Sequence, residues 1–188
     1  MADLVYTANI SVDGYTEDPY GRLDWSAPDE EVFSFVTELE RSAGTYLYGR
    51  RMYEAMLYWE SAVPDEGHVQ RFAEMWRDAD KVVYSRSLES VSSARTRLEH
   101  DFDPEAVRRL KAAAARRITI GGANLAGQAL VAGLVDELRL FVWPVLLGGG
   151  KPCLPKGVRL PLRLVETRRF TSGVVYMRYR LDSEGFRA

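Results

Sequence analysis

The sequence predicts an α/β fold of three layers, α/β/α, in which a mostly parallel central sheet ends in an antiparallel C-terminal hairpin. Three observations predict it. Short β-branched runs alternate with amphipathic helix patterns along most of the chain, as parallel strands with crossover helices require. The first of these runs, Leu4 to Ser11, begins apolar on both faces, as a strand covered on both sides does. Near the end, Leu162 to Phe170 and Val174 to Leu181 flank Thr171-Ser172-Gly173, which leaves room only for a hairpin turn.

The totals bound the function. At 188 residues one domain is expected, spanning 1–188, with a core from about 4 to 181 and a tail at 182–188. The 46% hydrophobic and 28% charged shares are those of a soluble chain with a substantial core. A net charge of −2 gives no basic field to draw in nucleic acid. The single cysteine, Cys153, excludes an intrachain disulfide and a cysteine metal site, and His68 and His100 match no metal-ligand spacing. There is no basic-then-apolar leader and no apolar stretch of membrane length, so a cytoplasmic protein without a membrane partner is expected.

Along the chain, Leu4 to Ser11 turns polar at its end, where Asn9, Ser11, Asp13 and Gly14 follow one another. In open α/β sheets the carboxyl ends of strands form the ligand crevice, while Asp13-Gly14 is also a plain turn signal. Tyr15 to Pro28 reads as a long loop rich in Gly, Pro and Asp, with Trp25 near its end. A helix then starts around Ser26 to Glu30, with Ser26 as cap, and ends near Ala43-Gly44. Thr45 to Tyr48 is a short strand that runs through Gly49 into a helix extending to Trp59. That helix opens with Arg50 and Arg51, which oppose the helix dipole unless they point into solvent or an anion is bound.

Val69, Phe72, Ala73 and Trp76 make the core stripe of a further helix. Lys81 to Tyr84 is a strand that ends in Ser85-Arg86-Ser87, either a phosphate clamp or a polar loop. Ser90 to His100 has room for a short strand. Asp103-Pro104-Glu105 opens a helix running to about Arg116. Arg117 to Ile120 is a strand, Leu125 to Leu134 a helix, and Val135 to Leu147 a long buried strand bent or ended by Pro144. Gly148-Gly149-Gly150-Lys151 and a proline-rich loop lead to the hairpin.

One junction carries the most chemistry. Ile118-Thr119-Ile120 stops at Gly121-Gly122, and an alanine-rich helix follows from Ala123-Asn124-Leu125. A glycine pair between strand and helix lets a ligand approach the backbone, and the helix N-terminus favours an anion there. The same pair also serves a turn that merely joins strand to helix.

In this order the motifs resemble the dihydrofolate reductase-like superfamily, and within it the branch of the bacterial riboflavin-biosynthesis reductase domain. The resemblance spans roughly Leu4 to Leu181. It rests on Gly121 to Leu125, Gly133-Leu134-Val135-Asp136-Glu137-Leu138 and Pro144 to Gly150, supported by Ser11-Val12-Asp13-Gly14 and Gly49 to Glu54. It implies NADPH as hydride donor. Gly49, Arg50, Arg51 and Met52 would line a phosphate site, with Met52 in the place of a threonine found in folate reductases. Ser85 and Arg86 would meet the adenosine 2′-phosphate, and Gly121, Gly122, Ala123, Asn124 and Leu125 would cradle the pyrophosphate.

On the substrate side the resemblance implies Glu30, five residues after Trp25, as an acid, with a solvent-facing helix-cap acid as its competing role. Asp13 is a second catalytic candidate. Ala8, Asn9, Ser11, Asp13 and Trp25 would border a polar heterocycle, and Trp59 and Leu146 would supply an apolar wall. Phe141 stands near the place of a threonine that supports the acid in folate reductases, and no arginine for a glutamate tail is evident. Both departures argue against dihydrofolate. The expected function is therefore NADPH-dependent reduction of a pteridine- or pyrimidine-type heterocycle, with a ribosylaminopyrimidine as the narrower version. Dihydrofolate reduction and a non-catalytic NADPH-binding sensor are the alternatives. The family also implies a homodimer.

Overall fold

The computed structural model describes residues 1–63 and 67–181, so the tail expected at 182–188 lies outside the described residues. In chain order the strands are β1 (Leu4–Ser11), β2 (Tyr15–Glu17), β3 (Ala43–Gly49), β4 (Asp80–Tyr84), β5 (Thr96–Glu99), β6 (Arg117–Gly121), β7 (Glu137–Trp143), β8 (Lys151–Pro152), β9 (Leu162–Arg169) and β10 (Val175–Leu181). The helices are α1 (Glu30–Glu40), α2 (Arg50–Met56), α3 (Tyr58–Ser61), α4 (Gly67–Asp78), α5 (Pro104–Ala113) and α6 (Ala123–Val131). A 3₁₀ turn spans Asp24–Ser26.

Among the described residues the main sheet runs β5-β4-β3-β6-β1-β7-β10-β9. Every pairing from β5 to β7 is parallel, and β10 and β9 close the sheet antiparallel. One face is covered by α5 and α6 over Leu4, Tyr6, Ala8, Ile10, Leu47, Ile118 and Ile120. The other face carries two clusters. Tyr46, Tyr48, Phe72 and Trp76 pack with α2 and α4, while Phe141, Trp143, Phe170 and Tyr176 pack under α1. The expected three layers and the terminal hairpin are both present.

Several boundaries differ from the sequence reading, each for a local reason. Ser26 is not the cap of α1. Pro28 disfavours a helical residue before it, and Ala27 is extended at φ −70°, ψ 115°. The cap passes to Asp29, which accepts the N–H of Val32 at 2.8 Å, and Ser26 instead donates to Leu23 O at 2.9 Å. Gly44 does not stop α1, which ends at Glu40. It lies inside β3, and a methyl group there would come within 2.6 Å of Arg116 Cβ. The glycine therefore permits a close approach between strand and loop.

The stretch from Tyr15 to Pro28 is not one loop, because β2 pairs with β8. The helix expected to run to Trp59 breaks at Leu57 into α2 and α3, α5 stops at Ala113, and α6 begins two residues early. The long strand is only Glu137–Trp143. Pro144 has no N–H to offer the ladder, and Asp136 turns its carboxylate to Leu4 N and Lys111 Nζ, both at 2.6 Å.

Candidate cofactor and substrate site

The register Tyr48↔Gly121 brings the carboxyl ends of β3 and β6 level, so α2 and α6 start side by side. Gly122, at φ +97°, is the N-cap of α6, and a methyl group on it would lie 3.7 Å from Gly49 N, the cap of α2. Neither cap residue bonds through a side chain, and neither first turn holds an acid. Elsewhere α1 and α5 are capped by Asp29 and Asp103 and carry glutamates in their first turns. The paired N-termini of α2 and α6 thus present first-turn N–H groups with no side-chain acceptor, a setting that favours an anion. Leu125 is buried and Asn124 exposed, so Leu125 offers its backbone alone, whereas Asn124 also offers its side chain. Met52 packs beneath the turn, its Cγ 3.0 Å from where a Gly121 Cβ would stand. It therefore fills space under the glycine pair.

The structure separates the two arginines at the start of α2. Arg50 bonds Glu54 at 2.7 Å and reaches across to Ser87 Oγ at 2.9 Å, which joins it to the end of β4. Arg51 turns the other way and bonds Glu17 of β2 at 3.1 Å, where Lys151 of β8 also bonds that carboxylate at 3.0 Å. Ser85 is buried, and its Oγ accepts the N–H groups of Ser87 and Leu88 at 3.2 and 3.1 Å, shaping the turn after β4. Arg86 projects into solvent against Asp101 at 2.5 Å. A groove of about 620 Å³ continues past the α6 N-terminus, lined by Phe102, Ala123, Asn124, Gln128, Leu154 and Lys156 among others. Gln128 was missed from sequence, although it stands one helical turn beyond Asn124.

The substrate-side residues divide into two groups. Asn9 is exposed in the interior of a central strand, flanked by buried Ala8 and Ile10, so its side chain faces an opening in the covering layer. Ala8 faces the α5–α6 core and borders the site only through its backbone. Ser11 is fully buried and accepts Tyr15 N at 3.0 Å. Asp13 accepts the N–H groups of Leu147 and Gly148 at 3.2 and 2.7 Å. The Ser11 hydroxyl, and then these amides, hold its carboxyl below the ordinary value of 3.8, so at neutral pH Asp13 is an ionised turn clamp. Among the roles open to a catalytic candidate, that ill suits proton donation.

The N-terminus of α1 lies at the same end of the sheet, because its C-terminal carbonyls of Leu39 and Arg41 are capped by Arg117 and Arg116 at the amino ends of the strands. Glu31 is committed to the hairpin turn, accepting Thr171 N at 3.0 Å and pairing with Arg168 at 3.3 Å. Glu30 is exposed and has no partner among the described residues. It precedes Phe33 by three residues and so shares its flank of the helix. Phe33 stacks on Trp59 of α3 with ring centroids 5.9 Å apart, and its ring also meets His68 at 5.6 Å. Trp25 is half-buried against the α1 cluster and donates Nε1–H to Arg22 O at 3.2 Å. Leu146 is 73% exposed, beyond the end of β7. Phe33 was missed from sequence because it stands beside the apolar face of Val32, Phe35, Val36 and Leu39, and its partners Trp59 and His68 lie far along the chain.

Comparison with known proteins agrees with the fold. Residues 2–176 match the RibD C-terminal domain. The chain is 32% identical over 183 residues to the uncharacterized protein YyaP of Bacillus subtilis strain 168, covering 94% of this chain and 93% of that one. Solved structures that share the fold include the following two. The Thermotoga maritima diaminohydroxyphosphoribosylaminopyrimidine deaminase/5-amino-6-(5-phosphoribosylamino)uracil reductase has a TM-score of 0.69 at 15% identity, over 96% of this chain and 57% of that one. Dihydrofolate reductase of Enterococcus faecalis, in complex with NADP(H), has a TM-score of 0.63 at 13% identity, over 96% of both chains. By its sequence match over nearly its whole length, and by the fold that carries the match, the chain belongs to the RibD C-terminal domain family.

Proposed function

We propose that the protein is an NADPH-dependent reductase of a small pyrimidine- or pteridine-type heterocycle. The observation that carries this reading is the facing pair Gly49 and Gly122, where two uncapped helix N-termini meet over a turn whose Gly122, at φ +97°, holds a conformation that side-chain-bearing residues rarely adopt. The residues fit the dinucleotide. Backbone N–H groups from Gly122 to Leu125 would hold the pyrophosphate, with Arg50 beside them. Ser87 and Arg86 would meet the 2′-phosphate, and the groove along Asn124 and Gln128 would take the adenosine. Bound there, NADPH supplies a hydride to an electrophilic C=N or C=O carbon. The protein's share is alignment and exclusion of water, and the heteroatom of the reduced bond takes a proton from Glu30 or from solvent. Asn9 would orient the heterocycle by hydrogen bonds at the strand end.

Two lesser parts belong to the same reading. Among the described residues no helix is long and apolar enough to cross a membrane, and we place the reductase in the cytoplasm. β9 is an edge strand with Leu162, Leu164 and Val165 exposed, which suits a homodimer paired along that edge. A dimer mass in solution is expected, and a monomer mass would remove that part. The function is tested by titrating NADPH against nicotinamide fluorescence, then following its oxidation with pyrimidine and pteridine substrates. Absence of binding below millimolar NADPH would overturn the reading.

A further inference from the structure

We propose that the protein carries a second anion site, built for a phosphate group, at the amino ends of β6 and β7, away from the cofactor and substrate residues. The site goes beyond the reductase reading and does not depend on it.

Strand periodicity places the charges there. Ile118 of β6, Leu138 and Leu140 of β7, and Met177 and Tyr179 of β10 pack into the core under α5 and α6. Successive side chains alternate between faces, so Arg117, Glu137, Arg139, Arg178 and Arg180 point the other way. Two residues on from Arg139 and Arg178, Phe141 and Tyr176 pack under α1, which marks the same face. Arg139 stands directly opposite Arg178 across the β7–β10 ladder, a like-charge pairing that destabilises the sheet unless something neutralises it.

The nearby carboxylates leave donors over. Arg139 is 4% exposed and directs both Nε and Nη2 at one oxygen of Glu137, each at 2.6 Å. Its Nη1 is closed to solvent and has no acceptor among the described residues. Arg117 lies 3.6 Å from Glu40, and its Nε is left in the same state. Arg178 meets Glu166 at 3.3 Å, while Arg116 donates to Arg41 O and has no carboxylate partner among the described residues.

Buried donors are almost always paired, so orphans mark a place where an ion or a water belongs. A cavity of about 420 Å³ opens beside these, lined by Arg116, Arg117, Arg139 and Arg178. Asp3 and Glu137 also line it, but Arg180 and Arg139 already hold them, both at 2.6 Å. Four guanidinium groups against two engaged carboxylates leave positive charge facing the space. Forked guanidinium donors match the oxygens of a phosphate, which can accept from several of them at once. The cavity is larger than that group and leaves room for the organic part of a small phosphate monoester. Arg117 and Gly121 are the first and last residues of β6, so the two ends of the strand are about 13 Å apart. The cavity and the glycine pair are therefore separate sites.

Inorganic phosphate and glycerol 3-phosphate, each titrated calorimetrically into the full chain at constant ionic strength, test the proposal. A dissociation constant below about 1 mM is expected for at least one of them. Binding of the free ion alone names inorganic phosphate as the source, and tighter binding of the ester names a phosphorylated small molecule. Arg139 is a poor probe, because removing it strands the buried Glu137. Arg116→Ala with Arg178→Met, at more exposed side chains, should weaken this binding at least tenfold, and Arg50→Ala at the cofactor end should leave it unchanged. Arg116→Ala alone should weaken it at least threefold, which keeps the test open if the double variant does not fold. Weaker binding of both compounds than about 1 mM, binding that survives the changes at Arg116 and Arg178, or binding lost with Arg50→Ala instead would each overturn the proposal.

Discussion

Gly49 and Gly122 face one another across the ends of adjacent strands, so close that a methyl group on Gly122 would stand 3.7 Å from Gly49 N. The contact is between backbones. It sets two helix N-termini together and leaves the space between them to whatever anion they bind. Gly122 also holds φ +97°, which an L side chain rarely adopts. Gly122→Ala therefore carries a strain cost of about 1–3 kcal/mol and places a methyl group where phosphate oxygens would reach the amides. A lower melting temperature and at least tenfold weaker NADPH binding are expected. A variant that melts early yet binds NADPH normally would remove the pyrophosphate assignment while leaving the strain argument intact.

Arg86 is the clearest means of separating NADPH from NADH. Its ion pair with Asp101 is exposed, so truncating it disturbs little of the fold. Charge-assisted hydrogen bonds are worth about 1.5–3 kcal/mol, so Arg86→Ala should weaken NADPH tenfold or more and barely change NADH. Asp101→Asn, which frees the guanidinium, should tighten NADPH selectively. Equal effects on the two cofactors in paired titrations would show that the 2′-phosphate sits elsewhere.

Much of this arrangement was legible in the sequence because it is local. Strand, glycine pair and helix follow one another within a few residues at Gly121-Gly122, and so do strand end and hydroxyl cluster at Ser85 to Ser87. The partners that assign roles lie far away along the chain. Arg50 meets Ser87 and Arg51 meets Glu17 across separations of more than thirty residues, and no periodicity announces which arginine goes where. Asp13 was a catalytic candidate through the resemblance, while Asp13-Gly14 read locally as a turn. Only the fold reveals that the amides of Leu147 and Gly148 occupy it. Gly44 failed in the opposite way. A glycine after a helix pattern signals a stop, but here its missing side chain makes room for Arg116.

Lys81 tests the packing on the other side of the sheet. It is 1% exposed, and its ammonium donates to Trp76 O and Ala79 O at 2.9 and 2.8 Å while lying 4.4 Å from the Trp76 ring centre. Those carbonyls belong to the C-terminal end of α4, where the helix has no internal donors left. Lys81→Met keeps the volume and removes the donors. A loss of about 2–4 kcal/mol in urea unfolding is expected, since buried carbonyls without partners cost about 1–3 kcal/mol each. Unchanged stability would mean that the carbonyls find water.

Asp13 predicts a pH dependence with a definite sign. Its folded carboxyl is held below the ordinary value of 3.8, first by the Ser11 hydroxyl and then by the amides of Leu147 and Gly148. The unfolded chain therefore binds the proton more readily. The clamp's contribution is complete above about pH 4, near the unfolded value, and drains away as the pH falls through the lower folded value. Asp13→Asn keeps an acceptor oxygen but no titrating group, so its stability should fall less between pH 5 and pH 2.5 than that of the parent chain. Thermal melts of both proteins across that window measure the difference. Parallel curves would mean that the carboxylate exchanges its amide partners for water without cost, and the loop from Leu147 to Lys151 would then need another anchor.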